Sequence, residues 1–417
     1  MSKFNIESVS EARAAAYLAV YHWKKNGIFL DNSLERWYKT QNIGTRERSF
    51  ARQVAIGTVQ RQRSLRYLIT KLVTKPNALG LQERTLLETA FYQARFMDRV
   101  PDYSVVNETV QLAKRYTSHG FAKLVNAVLR SYYKNPPHPP LEWGELYSYP
   151  DWYIAQLKHS YSKEQTRQIL DAGNQAAPLS IRVREPIHLD NQKLVHQGHL
   201  VAVHIQSEES SVTLNDPRLY PMGLTQILLL ERLAEHTPEP ASILDLCAAP
   251  GGKLLAAHDL FPTAALTANE PSLERTHRLK NNWEKYKLDG QLTNYLGQEF
   301  PLHRQYDLVI IDAPCSNTGV LNKRPEARWR IDAQAIEAHV LLQKELLQHA
   351  AQLLTAKGRI WYMTCSILPQ ENEEVIAASP LYCHMQTTIL PSPQSPEGGF
   401  CALLTPQLQP NLTSQIR

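Results

Sequence analysis

The sequence predicts a multidomain α+β protein: an all-α N-terminal domain over residues 1–135, a small α+β connector over 145–215, and a C-terminal α/β domain over 216–417 built on a doubly wound parallel sheet. Three observations carry this reading. Up to Tyr133 apolar residues recur at three- and four-residue spacings with no strand signal. Lys134-Asn135-Pro136-Pro137-His138-Pro139-Pro140 then forbids a helix and reads as a semi-rigid spacer. From about Met222 helical and strand patterns alternate almost to the end, the signature of parallel strands joined by crossover helices.

The helical domain rests on sets such as Leu65, Leu68, Ile69 and Leu72, Leu86, Leu87, Ala90 and Phe91, and Leu124, Val125, Val128 and Leu129, each a single apolar face. In the connector, Trp152 to Gly173 is helix-like, and residues 179–183, 200–205 and 211–214 alternate as strands do. Beyond it the pattern gives helix 223–235, strand 242–246, helix 252–260, strand 264–269, helix 272–287, strand 306–311, helix 333–355, strand 358–363, helix 370–378 and a closing strand near Gly399 to Leu404.

Charge divides the chain as the patterns do. Residues 1–135 hold 22 Lys and Arg against 10 Asp and Glu, a net of +12, whereas the remaining 282 hold 23 against 30, a net of −7. The basic end suits a polyanion, and Arg46, Arg48, Arg52, Arg61, Arg63 and Arg66 cluster on its second and third helices. A solvated helix face is the alternative for such a run. No stretch approaches eighteen apolar residues and the N-terminus has no leader pattern, so a soluble, cytoplasmic protein with no membrane contact is expected. Five cysteines, odd in number and never in a C-x-x-C pair, argue against a disulfide framework or a zinc site.

Chemistry concentrates at three strand ends. Ser242-Ile243-Leu244-Asp245-Leu246 runs into Cys247-Ala248-Ala249-Pro250-Gly251-Gly252-Lys253 and then a helix, a tight turn whose free N–H groups favour an electronegative ligand. The next strand ends at Glu270, where an acid can bind ribose hydroxyls. Cys315 follows the apolar run Leu308–Ile311 in Asp312-Ala313-Pro314-Cys315-Ser316, and Cys365 follows Ile360–Met363 in Thr364-Cys365-Ser366. Ligands in open α/β sheets bind outside the carboxyl ends of the strands, so both thiols are expected to face one pocket.

The motifs LDLCAAPGGK, DAPCS, RPEARWR and TCS followed by Glu371-Asn372-Glu373-Glu374 resemble the RNA cytosine-5 methyltransferases of the Sun/Fmu/RsmB group, and the helical domain, with Val106-Asn107-Glu108-Thr109-Val110 and Leu124-Val125-Asn126-Ala127-Val128-Leu129-Arg130, is similar to that group's NusB-like RNA-binding domain. The resemblance implies a Rossmann-like methyltransferase domain, S-adenosyl-L-methionine as cofactor, and an RNA substrate, small-subunit (16S) ribosomal RNA, for a protein acting as a monomer without a metal. It implies that Cys365 attacks cytosine C6, Cys315 assists release of the product, and Asp312 and Lys253 serve the reacting base. The cofactor would meet residues 247–253, Glu270, Gln298 and Asp312. Arg324, Arg328 and Trp329 would meet RNA beside Arg61, Arg63 and Arg66.

Other readings stay open here. Each cysteine can be a buried small hydrophobe, Asp312 a turn cap, Lys253 a helix-surface charge and Trp329 a core anchor. Cys247, Cys383 and Cys401 are read as packing residues. Two departures from the group stand out: Glu270 lies where Asp is frequent, and Gln298 lies where an Asp is usual. A transfer-RNA methylase and a non-catalytic RNA-binding assembly factor are the rival functions.

Overall fold

The computed structural model describes residues 11–40, 44–176, 178–187, 192–205 and 215–407. The predicted strand at 211–214 lies outside them. The chain forms two compact units, Met1–His159 and Ser160–Arg417.

The first unit is all helical: α1 (Glu11–Asn26), α2 (Leu30–Thr40), α3 (Thr45–Gln60), α4 (Gln62–Leu72), α5 (Leu81–Phe96), α6 (Asp102–Tyr116), α7 (His119–Lys134), α8 (Trp143–Leu146) and α9 (Asp151–Ser160). Buried Leu65, Leu68, Leu86, Leu87, Phe91, Val125 and Leu129 come from the predicted faces. The proline-rich segment does not end the unit, because α8 and the turn leading into α9 pack back onto α4. Ser64 donates its hydroxyl to the Glu145 carbonyl, the Arg63 N–H donates to Ser148 Oγ at 2.9 Å, and the Arg63 guanidinium holds both oxygens of Asp151 at 2.8 and 2.9 Å.

The second unit opens with α10 (Lys163–Ala172) and an antiparallel sheet of β1 (Leu179–Val183), β2 (Gln192–Gln197), β3 (Val201–Ile205) and β4 (Leu219–Pro221), in the order β2-β3-β1-β4. Next along the chain come α11 (Leu224–Glu235), β5 (Ser242–Asp245), α12 (Gly252–Leu260), β6 (Ala265–Asn269), α13 (Leu273–Lys285), β7 (Gly290–Thr293), β8 (Tyr306–Asp312), α14 (Ala327–Arg330), α15 (Ala333–Gln352), β9 (Leu354–Thr364), α16 (Glu373–Ala377), β10 (Leu381–Ile389) and β11 (Gly399–Pro406). Strands β5 to β11 form one sheet ordered β10-β11-β9-β8-β5-β6-β7.

Five of these strands are parallel, as expected, but β10 and β11 join antiparallel at one edge. The sheet is therefore mixed, and β7 and β10 escape the sequence pattern because they are short or polar on alternate positions. Alternation sends Leu308, Ile310, Trp361 and Met363 to one face of the sheet and Val309, Ile311, Ile360 and Tyr362 to the other, each with its own core. The two sheets of this unit are tied by Arg182 of β1 and Arg184 just after it, which both grip Asp259 near the end of α12.

Glu88 is a fully buried charge of the first unit. It has no exposed surface, and it is held by Lys24, itself 6% exposed, and by Arg66 at 3.2 Å. Burial pushes the Lys24 ammonium well below its ordinary range, with Arg66 and Arg84 adding to the effect. Glu88→Ala strands that ammonium, and urea denaturation should show a loss of about 3–5 kcal/mol, the usual consequence of removing one partner of a buried pair. Wild-type stability in that variant would show that the pair carries no such weight.

Candidate active site

The strand order reverses at β5, whose neighbours β6 and β8 lie on opposite sides, and a crevice opens beyond the carboxyl ends of β5, β8 and β9. A cavity of about 660 Å³ fills it. Both cysteine motifs, most of the turn after β5, Asp312, Arg324 and Lys253 line this one cavity.

The turn needs its glycines. Gly251 sits at φ +107°, where an L side chain is strained, and a Cβ on Gly252 would stand 2.7 Å from the Tyr220 ring. Neighbouring groups hold the turn open: Arg275 donates to the Ala249 carbonyl at 2.7 Å, and Asn282 to the Pro250 carbonyl at 2.7 Å.

Lys253, one residue further on, is buried and donates to Asp312 Oδ2 at 2.5 Å. Burial pushes the ammonium down, but its ion pair with Asp312 outweighs this and holds it above the ordinary lysine range. Beneath the turn, burial and then Asp312 push the Asp245 carboxyl up to about 7, and its Oδ2 has no hydrogen-bond partner.

Across the cavity, Cys315 and Cys365 meet with their Sγ atoms 3.2 Å apart. Cys365 in its thiol form also donates to Asn317 Oδ1 at 3.2 Å, and Asn317 in turn donates its amide to the Cys315 carbonyl at 2.9 Å from a left-handed backbone at φ +59°. The two sulfurs are electrostatically unequal. The hydrogen bond from Cys315 lowers Cys365 against the opposing effect of burial, with Lys253 and Arg324 assisting and Asp312 resisting. That same bond raises Cys315 well above the ordinary thiol range, together with burial and the charges of Cys365 and Glu371. Of the two sulfurs, Cys365 is thus the one whose ionised form is favoured relative to its partner.

Cys247 is another matter: burial and then Asp245 push its thiol far up, which suits a packing residue. Among the described residues no His, Cys, Asp and Glu cluster could hold a metal, and no helix is long and apolar enough to cross a membrane.

Several expected contacts need correction. Glu270 is fully buried and does not line the cavity; its oxygens accept from the Ala249 N–H at 3.3 Å and the Ser272 N–H at 3.0 Å, and Arg275 stands 3.4 Å away. It braces the turn. Gln298 lies in a short 3-10 turn, Gly297–Glu299, and is likewise not part of the cavity wall. Arg328 is 2% exposed and donates to the Gly173 carbonyl and Asn174 Oδ1, so it pins its loop to the end of α10 and does not face RNA. Trp329 beside it is half-buried.

The arginines of the first unit are also engaged. Arg63 is committed to Asp151 and Tyr149, Arg66 to Glu88, and Arg61 lies over the Phe96 ring at 4.8 Å. Sequence reasoning missed Asn317, Tyr220, Arg275, Arg278 and His339, which line the cavity. Only Asn317, two residues after Cys315, stood close enough to a motif to be noticed.

Iodoacetamide should therefore alkylate Cys365 ahead of Cys315 and Cys247. Because the Cys365 thiolate is favoured and the Cys315 thiolate is disfavoured, the Cys365 rate should rise at lower pH than that of Cys315, as peptide mapping across a pH series would show. Equal or reversed order contradicts the assignment.

Family models match in sequence: NusB family over residues 10–134, a Methyltr_RsmF/B-like ferredoxin-like domain over 149–212, and 16S rRNA methyltransferase RsmB/F over 232–400. The chain is 30% identical to ribosomal RNA small subunit methyltransferase B of Vibrio cholerae, covering 97% of this chain and 99% of the relative. It is 28% identical to the protein of the same name from Proteus mirabilis, with the same coverage. In fold it is similar to the crystal structure of PH0851, with a TM-score of 0.75 and 22% identity over 97% of this chain and 100% of that one. With helical unit, small sheet and methyltransferase sheet each matched and the Vibrio cholerae relative aligned almost end to end, the chain belongs to the RsmB/F family of 16S rRNA methyltransferases.

Proposed function

We propose that this protein transfers a methyl group from S-adenosyl-L-methionine to C5 of a cytosine in small-subunit ribosomal RNA, through a covalent bond between Cys365 and C6. The observation that carries the reading is the meeting of two unequal thiols, 3.2 Å apart, in the cavity that also contains the glycine turn. The names of the Vibrio cholerae and Proteus mirabilis relatives support the substrate class.

The cavity fits the cofactor. Its volume of about 660 Å³ lies in the range of small-molecule sites, and at Gly252 the backbone comes too close to Tyr220 for any side chain, leaving a bare cradle at the start of α12. Residues 247–253 and Asp312 would hold it, while Glu270, buried outside the cavity, would keep the turn in shape through its bonds to the Ala249 and Ser272 N–H groups. When bound, it supplies an electrophilic methyl group.

Cytosine C5 is a poor nucleophile until a thiolate adds to C6. Cys365 carries the charge needed: its sulfur forms the bond to C6, and the C5–C6 π electrons move to C5. The Lys253–Asp312 pair borders the same cavity and offers both a donor and an acceptor to the polar edge of the base. Release requires loss of the C5 proton and cleavage of the C6–sulfur bond, which returns the electron pair to Cys365. Adduct formation removes the charge on Cys365, and with it the largest cause of the raised Cys315 thiol. Cys315 is then less strongly held as a neutral thiol, which suits a part in assisting release. Arg324, exposed at the cavity wall, would meet phosphate.

The two alanine variants should fail in opposite ways. Cys365→Ala should form no covalent complex with RNA. Cys315→Ala should accumulate a denaturant-resistant protein–RNA complex that depends on S-adenosyl-L-methionine and on Cys365, visible as a shifted band on a denaturing gel, because breakdown is slowed more than formation. An adduct in Cys365→Ala that vanishes in Cys315→Ala reverses the roles. Bisulfite sequencing of RNA from cells with and without the gene locates the cytosine; a site in transfer RNA replaces ribosomal RNA as substrate, and no site at all favours an assembly factor.

A further inference from the structure

Both cysteine turns end on one buried group. Glu371 closes the 3-10 turn Pro369–Glu371 and has no exposed surface. Its Oε1 accepts from the Ser316 N–H at 2.8 Å, and its Oε2 accepts from Ser366 Oγ at 2.5 Å and from Ser316 Oγ. Ser316 follows Cys315 and Ser366 follows Cys365, so a single carboxylate joins the two segments that carry the sulfurs.

The carboxylate is itself anchored from the sheet and from α15. Tyr362 of β9 donates its hydroxyl to the Glu371 carbonyl at 2.8 Å. The next residue, Asn372, accepts from Thr364 Oγ1 at 2.6 Å and donates to the Ser366 carbonyl at 3.0 Å. On the other side, Gln343 donates to the Pro314 carbonyl at 2.8 Å, and His339 Nδ1 stands 3.6 Å from Glu371 Oε1.

We propose that Glu371 is a positioning residue for methyl transfer: it clamps the Pro-Cys and Thr-Cys turns to one another, fixing the contact of the two sulfurs and the order in which they act. The proposal rests on the cytosine-5 reading above. A neutral residue could tie two loops together, whereas a buried charge carries a desolvation cost that only dense hydrogen bonding offsets. Here that cost has a use.

The ionised carboxylate faces Cys315 and disfavours a second thiolate there, leaving the charge on Cys365. The groups around the pair are Tyr362 on β9, His339 on α15, and Asp312, Lys253 and Arg324 on the far side of Cys365. Burial works against the ionised form of Glu371, but the nearby His339 and the bonds from Ser316 and Ser366 outweigh it and hold the carboxyl below its ordinary range.

Diamide oxidation of the full-length protein tests the clamp. Diamide takes one hydrogen from each thiol as the sulfur–sulfur bond forms, and sulfurs in contact should link quickly in the wild type, read by mass spectrometry as a joined peptide pair. In Glu371→Ala the link should form about tenfold more slowly and single-turnover methyl transfer should fall about a hundredfold, the scale of loss that an ångström of misplacement brings. Circular dichroism should stay unchanged. Glu371→Gln keeps the shape and an acceptor for the Ser316 N–H, so it should restore the link while Cys315 becomes alkylated at lower pH than in the wild type.

Wild-type linking and turnover in Glu371→Ala, or an unchanged Cys315 alkylation profile in Glu371→Gln, overturns the proposal. If Glu371→Ala does not fold, Ser366→Ala removes one hydroxyl from the clamp and should slow the link in the same direction; an unchanged rate there also overturns it. Linking and alkylation need no RNA. The cytosine-5 reading fails separately, if wild-type protein produces no 5-methylcytosine.

Discussion

The parallel register of β5, β8 and β9 is the constraint on which the site depends. Asp245 pairs with Ile310, Ile310 with Trp361, and Asp312 with Met363, so the three chains leave the sheet at nearly one level. Everything chemical in this protein begins within a few residues of those exits. A shift of one residue would send each core's side chains to the opposite core and move the strand ends out of line, so the two-sided core that sets the register also sets the site. Rigid strands thereby position groups that sit on irregular turns, which is how a packed scaffold supports precise chemistry.

Within that frame, the pairing of like groups creates unlike ones. Two identical thiols in contact cannot both hold a charge; the hydrogen bond between them favours Cys365, and the surrounding ions modulate that preference, Asp312 against it. Lys253 and Arg324 lie on the side of Cys365, and Glu371 lies on the side of Cys315. Asp312, through its bond to Lys253, favours that lysine's charged form against the burial that opposes it. The same reasoning explains Asp245, a carboxyl pushed up to about 7 because it is fully buried near another acid. Charge in this cavity is distributed among neighbours, and no residue's ionisation is its own property alone.

Much of this was legible beforehand, and the failures share a cause. The helical faces, the parallel strands and the motif positions come from periodicity and turn chemistry, which are local. Arg63 and Arg328 looked like phosphate contacts because clustered guanidinium groups usually are. Their partners, Asp151 and the Gly173–Asn174 bend, lie 88 and about 155 residues away in sequence, and nothing local announces them. Glu270 just after β6 is expected to meet a ribose, but its side chain reaches back to the Ala249 N–H, a contact that residue type and spacing do not announce.

The sequence by itself determined where the chemistry would be: an all-helical basic domain, a parallel sheet, a glycine turn and two cysteines each placed just past a strand. These are written in spacing and residue type, which act over a handful of positions. Only the tertiary structure decided that Cys315 and Cys365, 50 residues apart, touch, that Glu371 binds the residues following both, and that the surroundings favour the thiolate at Cys365 over Cys315. The reason is physical: a thiol's acidity and a carboxylate's hold depend on charges and donors within a few ångströms, and those neighbours are assembled from segments that meet only when the sheet closes.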